Sequence, residues 1–330
     1  MTPSRRKALI NSAAVMAALG PLGSAIRAQD AAKFPTRPVR IVLGFAPGGG
    51  ADIFGRAVTA KLSAAWGQSV VIENRPGASG MIGAEMVAKA APDGYTLYLS
   101  VPNSHYLGPH LMKAPYDAIR DFTPITMGVQ FPMICVVGNS VPVSTMQELV
   151  AYAKANRGKL TFASTGIGSI QQIGGEVFNS LTGAQVTHVA YKGSAPAILD
   201  VIAGNVTMSF DTSTGATAHI KAGKLKPLAV LSGKRMSSLP DVPTTAEVGF
   251  PGFELSAWYG FHGPAGMPKA IVDRIQQDIA VAMQLPDVRD KLLGMGAEIV
   301  GNTSDEFKTF FERDYAKMGQ VVKEVGLKAE

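Results

Sequence analysis

The sequence predicts an α/β protein of two lobes, each a mainly parallel sheet flanked by helices and joined by a two-segment hinge. Three observations predict it. Strand-like and helix-like segments alternate over most of the chain, and a unit of strand, glycine turn and helix recurs at 39–66 and 160–182. A stretch rich in Pro, Ser, Thr and Gly, from Ser237 to Phe253, reads as the chain returning from a second series of elements to the first.

The first residues read as an address. Ser4-Arg5-Arg6-Lys7, the apolar run Ala8 to Leu22 and the small residue Ala28 have the form of an export leader over 1–28, by the general secretory or the twin-arginine route. No later apolar run reaches the roughly 18 residues that would suggest a membrane span. The leader carries four cations and no acid, so the formal net charge of +6 falls to +2 in the mature chain. No Lys/Arg run remains to suggest nucleic acid. The single cysteine, Cys135, lies in an apolar run; it can neither form an internal disulfide nor carry a lipid at the cut site, and it reads as a core residue. About 300 residues remain, more than one core usually serves.

The mature chain opens on the strand Val39 to Leu43, the turn Gly44-Phe45-Ala46-Pro47-Gly48-Gly49-Gly50 and a helix from about Ala51 to Trp66. The three consecutive glycines, Gly48 to Gly50, allow positive φ and clear the backbone, so that amides can converge on an anion at the helix's positive end. Other meanings of such a loop fit less well. A phosphate-cradling loop needs Gly-Lys-Ser/Thr, and a dinucleotide fingerprint needs a third glycine where Ile53 stands. A tight turn with no ligand stays open.

A strand at 70–73, a second glycine turn at 75–80, a helix through Met86 and Ala90 and a strand at 96–101 complete a βαβαβ series, which implies a parallel sheet. The pattern pauses at Asp121 to Ile125 and restarts at Met133 to Val137. Ser144 to Gln147 reads as a capping box for a helix to about Asn156. Strands at 160–163, 186–190, 206–210 and 228–231 alternate with helices near 170–182, 195–203 and 215–222. After the return segment come a strand at 258–261 and helices near 268–284 and 304–324. This predicts a discontinuous first lobe, 29–130 with 253–330, and an inserted second lobe, 131–252. The cleft between them faces the carboxyl ends of the strands, where the glycine turns lie.

In the second lobe, Ser164-Thr165-Gly166-Ile167-Gly168-Ser169 repeats the logic of the first turn, with hydroxyls at Ser164, Thr165 and Ser169. Two such turns facing each other could hold one carboxylate, or both ends of a dicarboxylate, without an arginine; the plainer alternative for Ser169 is a helix N-cap. Asp52 reads as a first-turn acid or a ligand contact, Asp211 as a cleft-edge or hinge residue, and Phe45 as a stacking surface or a wedge. The five histidines have no metal-ligating spacing, no Gly-x-Ser-x-Gly elbow is present, and Asp211-Thr212-Ser213 lacks the glycine of an aspartic-protease motif. A binding protein without cofactor or catalysis is therefore expected. An enzyme on an α/β frame and a scaffold without ligand are the rival classes.

These residues carry a resemblance. Phe45-Ala46-Pro47-Gly48-Gly49 with Asp52 and Arg56, Glu73 to Ala78, Ala114 to Asp117, Asp121 to Ile125, Ser164 to Ser169 with Glu176, His188 to Gly193, Phe210-Asp211 and Gly263 to Gly266 resemble the substrate-binding proteins of tripartite tricarboxylate transporters, the Bug family of periplasmic solute receptors. The resemblance covers essentially the whole mature chain. It implies a Venus-flytrap receptor, monomeric and periplasmic, that captures a small carboxylate (a di- or tricarboxylate, an acidic amino acid or an aromatic acid) and delivers it to a membrane permease; a receptor signalling to a sensor is the alternative role. The site it implies comprises Phe45, Ala46, Gly48, Gly49, Asp52, Asn103, Ser164, Thr165, Gly166, Gly168, Ser169, Gln172, Tyr191 and Asp211. Gln172 departs from the family, which commonly has His there, and Ser100 to Tyr106 is less typical and is expected to read the body of the ligand.

Overall fold

A computed structural model describes residues 33–324 and 326, apart from 167 and 192. The leader expected at 1–28 lies outside the described residues, as does Lys192.

Strand β1 (Val39–Leu43) is almost wholly buried and runs parallel to β2 (Val70–Asn74) on one side and β3 (Thr96–Ser100) on the other. Between β1 and β2 runs α1 (Gly50–Trp66), where Phe54, Val58, Leu62 and Trp66 recur every fourth residue and form the buried stripe. Helix α2 (Met81–Ala88) returns the chain to β3, after which come a π turn (Asn103–Leu107) and the short α3 (Gly108–Leu111) that the periodicity did not foretell.

Strand β4 (Phe122–Gly138) ties the molecule together. Its 17 residues pair antiparallel with β9 (Ser256–Pro264) over the first part, and with β7 (Met208–Thr212) and β8 (Leu225–Val230) over the last. The expected pause at 121–125 is thus the start of a strand. Pro124 has no N–H to give, and the register slips between Pro124 and Thr126, which is how a proline enters a ladder.

The second series is α4 (Met146–Ala155), β5 (Thr161–Ser164), α5 (Ile170–Thr182), β6 (Thr187–Ala190), α6 (Ser194–Ala203), β7, α7 (Ser213–Lys221) and β8, with β5 parallel to β6 and β7. At α4 the capping box sits one residue later than expected: Thr145 Oγ1 accepts the Glu148 amide at 3.1 Å, and Glu148 accepts the Ser144 amide at 2.6 Å. Glycine inside α5 has a packing reason, since a Cβ on Gly175 would stand 2.2 Å from the Phe162 ring. The chain returns through β9 to α8 (Lys269–Gln284), α9 (Pro286–Gly294, not anticipated, with proline at its first position), β10 (Glu298–Ile299) and α10 (Ser304–Glu324).

Strand order is β2-β1-β3-β9-β4-β7-β5-β6, with β8 and β10 paired to β4. Parallel pairings join β1–β3 at one end and β5–β7 at the other; β4 and β9 add antiparallel ones between them. The core follows this division. Phe54, Leu62, Leu99 and Ile279 pack beneath the first group, and Val136, Ala163, Ile198 and Val230 pack within the second. A third cluster holds Trp258, Tyr106, Phe307 and Phe311 together with Phe162, Phe178 and Phe210. Cys135 is fully buried there, and burial pushes its thiol pKa up.

Candidate functional site

A cavity of about 650 Å³ opens where the two groups of strands meet, and its wall is built largely from the beginnings of helices. Gly49, Gly50 and Ala51 bring the start of α1, Ile170 and Gln171 that of α5, Ser194 and Ala195 that of α6, and Thr212, Thr214 and Gly215 that of α7. The first amides of a helix have no partner within it. On α1, α6 and α7 no side chain caps them either; only α5 is capped, by Ser169. Each helix end is equivalent to about half a positive charge. Among the described lining residues none is Lys, Arg, Asp or Glu, so the field of the backbone is the chief electrostatic feature of the wall.

The first turn is braced from behind. Asp52 Oδ2 accepts the Gly48 amide at 3.0 Å and Arg56 Nε at 2.9 Å, and Asn74 Nδ2 reaches both Asp52 Oδ1 at 3.1 Å and the Phe45 carbonyl at 2.9 Å. Burial works to raise the Asp52 pKa, but Arg56, the Gly48 amide and Asn74 outweigh it and hold the carboxyl below its ordinary range. Asp52 is therefore an ionised brace, 3% exposed. Only Gly48 of the three glycines has positive φ, at 88°.

The second turn is closed on itself. Ser164 Oγ accepts the Gly166 amide at 3.0 Å and lies 2.6 Å from His188 Nε2. Ser169 Oγ donates to the Gly166 carbonyl at 2.7 Å and accepts the Gln172 amide at 3.3 Å, while Gln172 Oε1 accepts the Gly168 amide at 2.7 Å. Of the residues expected from sequence, Phe45, Gly49, Asn103 and Thr165 line the cavity. Ala46, Gly48, Asp52, Ser164, Gly166, Gly168, Ser169, Gln172, Tyr191 and Asp211 do not line it. Tyr191 donates to Asp200 at 2.6 Å, and Asp211, 1% exposed, stands one layer behind the wall. Ser169→Ala is expected to lower folding stability by about 1 kcal/mol through the lost N-cap, measured by urea unfolding; an unchanged midpoint would contradict the cap.

Sequence reasoning missed the starts of α6 and α7, His219 on α7, and Tyr259. Gly193-Ser194-Ala195-Pro196 carried a usable signal, a glycine followed by an N-terminal proline, and Thr212 before Ser213 and Thr214 has the residue type of a helix N-cap. Tyr259 shares the wall with Gly50, its hydroxyl oxygen 2.9 Å from where a Gly50 Cβ would stand, and burial pushes its pKa up to about 12. Among the described residues no cluster of His, Cys, Asp or Glu could hold a metal ion.

Comparison with known proteins places this geometry. The profile of the tripartite tricarboxylate transporter family receptors matches residues 54–327. Protein BugT of Bordetella pertussis is 34% identical over 297 residues, covering 89% of this chain and 91% of its own. The R. palustris protein Rpa4515, solved with adipate, is 35% identical with a TM-score of 0.78, covering 89% of this chain and 99% of that one. MatC of Rhodopseudomonas palustris, solved with malate, is 31% identical with a TM-score of 0.75, covering 88% and 100%. A helix-ended cavity on a two-lobed α/β frame and a match over most of the length lead to one family: the chain belongs to the tripartite tricarboxylate transporter family receptors, the Bug periplasmic solute receptors.

Proposed function

We propose that this chain captures a small carboxylate in the cavity between its two groups of strands, without catalysing its conversion, and hands it to the membrane permease of a tripartite tricarboxylate transporter. The observation that carries this reading is the convergence of four helix starts, three of them without a side-chain cap, on a wall whose described residues include no charged side chain. Amides and helix ends are suited to an anion that must also be released, because each amide-to-carboxylate hydrogen bond contributes about 1.5–3 kcal/mol and a few suffice for micromolar affinity. The adipate and malate held by Rpa4515 and MatC support the ligand class.

In this reading 29–130 with 253–330 forms one lobe and 131–252 the other. The crossings in β4 and before β9 act as the hinge, and the leader at 1–28 sends a monomeric receptor to the periplasm. Among the described residues no helix is long and apolar enough to cross a membrane. The test is a thermal-shift screen of the chain from Gln29 against mono-, di- and tricarboxylates, acidic amino acids and aromatic acids. A ligand at 100 times its Kd stabilises by about 2.7 kcal/mol, and the melting temperature is expected to rise by several degrees for one class of acid. Silence across the panel from folded, ligand-free protein would overturn the reading.

A further inference from the structure

The direction of the hydrogen bonds behind the cavity wall limits what the wall can offer. Asp211 Oδ1 accepts the Thr212 amide at 2.7 Å, and Asp211 Oδ2 accepts Ser194 Oγ at 2.5 Å. The Gln171 side-chain amide faces the same carboxylate and works to lower its pKa against the effect of burial. A carboxylate has no proton to give, so Gln171 turns its Nε2 toward Asp211 and its Oε1 toward Thr165, whose Oγ1 donates to it at 2.9 Å. Thr165 and Ser194 both line the cavity, and each has spent its one hydroxyl proton on this buried chain. What they turn to the cavity is lone pairs. The network is built in: a Cβ on Gly215 would stand 2.4 Å from Ser194 Oγ and 2.9 Å from both Asp211 oxygens, so only glycine leaves it room.

We propose that Asp211 makes the wall at Thr165 and Ser194 a hydrogen-bond-accepting surface, so that the carboxylate taken by this cavity is one that also carries a donor, a hydroxyl or an ammonium group. The inference rests on the carboxylate-receptor reading and narrows it. The helix starts supply donors for the carboxylate, while the Thr165 and Ser194 oxygens need a proton from the ligand. An unsubstituted acid leaves those acceptors without a partner on closure, and a second carboxylate placed there meets lone pairs and the charge of Asp211. Asp211 acts here as a positioning residue, through the hydroxyls it orients.

Calorimetry on the mature protein with two matched sets tests this: succinate, malate and aspartate, and benzoate, 2-hydroxybenzoate and 2-aminobenzoate. Within at least one set the substituted acid is expected to bind at least about tenfold more tightly than the bare one, and the hydroxy and amino members show which donor is preferred. In Asp211→Asn the new amide can donate to Ser194 Oγ and release its proton to the cavity, so the preference should fall below about threefold or reverse. Ser194→Ala and Thr165→Val, which remove one acceptor each, should shrink it even if Asp211→Asn does not fold. Equal affinity for bare and substituted acids, or a preference retained in Ser194→Ala and Thr165→Val, would overturn the proposal while leaving the receptor reading intact. A thermal-shift panel in which no carboxylate acts would remove the receptor reading itself, and this inference with it.

Discussion

Lowering the pH from 7 to 5 is expected to destabilise the fold, and His105 and His262 are expected to account for most of the loss. Both imidazoles are fully buried, in edge contact with ring centroids 4.3 Å apart, and Phe122, Phe307 and Phe311 surround them. Each is fixed in one neutral tautomer. His105 Nε2 donates to the Ala118 carbonyl at 3.0 Å. Ser100 Oγ donates to the Gly260 carbonyl, so His262 Nδ1 donates to Ser100. The remaining nitrogens, His105 Nδ1 and His262 Nε2, have no partner, and a proton added to either would be buried without an acceptor. Burial accordingly pushes the His105 pKa down to about 3; His262 is lowered by burial and by His105 beside it.

The sign follows from linkage. An unfolded histidine takes up a proton below pH 6.5 while the folded one stays neutral, so stability present above pH 6.5 is lost as the pH falls toward 3. At pH 5 the loss for His105 is about 2 kcal/mol, and His262 acts in the same direction. His110 and His188, both lowered by partial burial, add to it. Asp211, Asp314 and Glu176, raised by burial, work against it. Urea unfolding at pH 7, 6 and 5 measures the net slope, and His105→Gln, which keeps a donor for Ala118 but cannot titrate, isolates the histidine share. A slope unchanged by that substitution would refute the assignment.

The contrast between this buried pair and the cavity shows what a sequence can disclose. Helix α5 was legible to the residue, because Ser169 caps it, its apolar period is clean and Gly183 ends it in the left-handed conformation. The two glycine turns were legible because strand, glycine and helix follow one another locally. The histidine pair was not, since residues 105 and 262 meet only through the pairing of β3 with β9. The starts of α6 and α7 were likewise hidden, because which helix ends share a cavity depends on strand order, and the order β9-β4-β7-β5 is set by long-range pairing, antiparallel at β9–β4 and β4–β7 and parallel at β7–β5. Ser164, Ser169 and Gln172 were legible as turn residues, and for Ser169 the helix N-cap, the plainer of its two readings, is what the structure shows. Short polar side chains in a turn compete for its own amides first, and here they satisfy them.

Gly49→Asp is expected to abolish carboxylate binding without harming the fold, and the reason lies in what that glycine does not need. Its φ is −75° with ψ 167°, an ordinary extended N-cap conformation, and a Cβ there would meet nothing within 4 Å. By local physics alone the position should prefer Asp, Asn or Ser over Gly by a few tenths of a kcal/mol, because such a side chain would cap the free amides of α1. Gly50 is different, since a Cβ on it would crowd the Tyr259 hydroxyl at 2.9 Å. An uncapped helix start that could be capped at no steric cost, facing a cavity, is explained if the amides are kept for a ligand. An aspartate at 49 would take those amides and put a negative charge where the ligand's belongs. Two carboxylates about 4 Å apart at an effective dielectric near 20 repel by about 4 kcal/mol, roughly a thousandfold in affinity. Gly49→Asn adds the cap without the charge and should lose less. The melting temperature of both variants should equal or slightly exceed that of the parent, while calorimetry with the acid found in the screen shows binding lost in Gly49→Asp. An unchanged Kd there would mean that the start of α1 is not where the carboxylate binds.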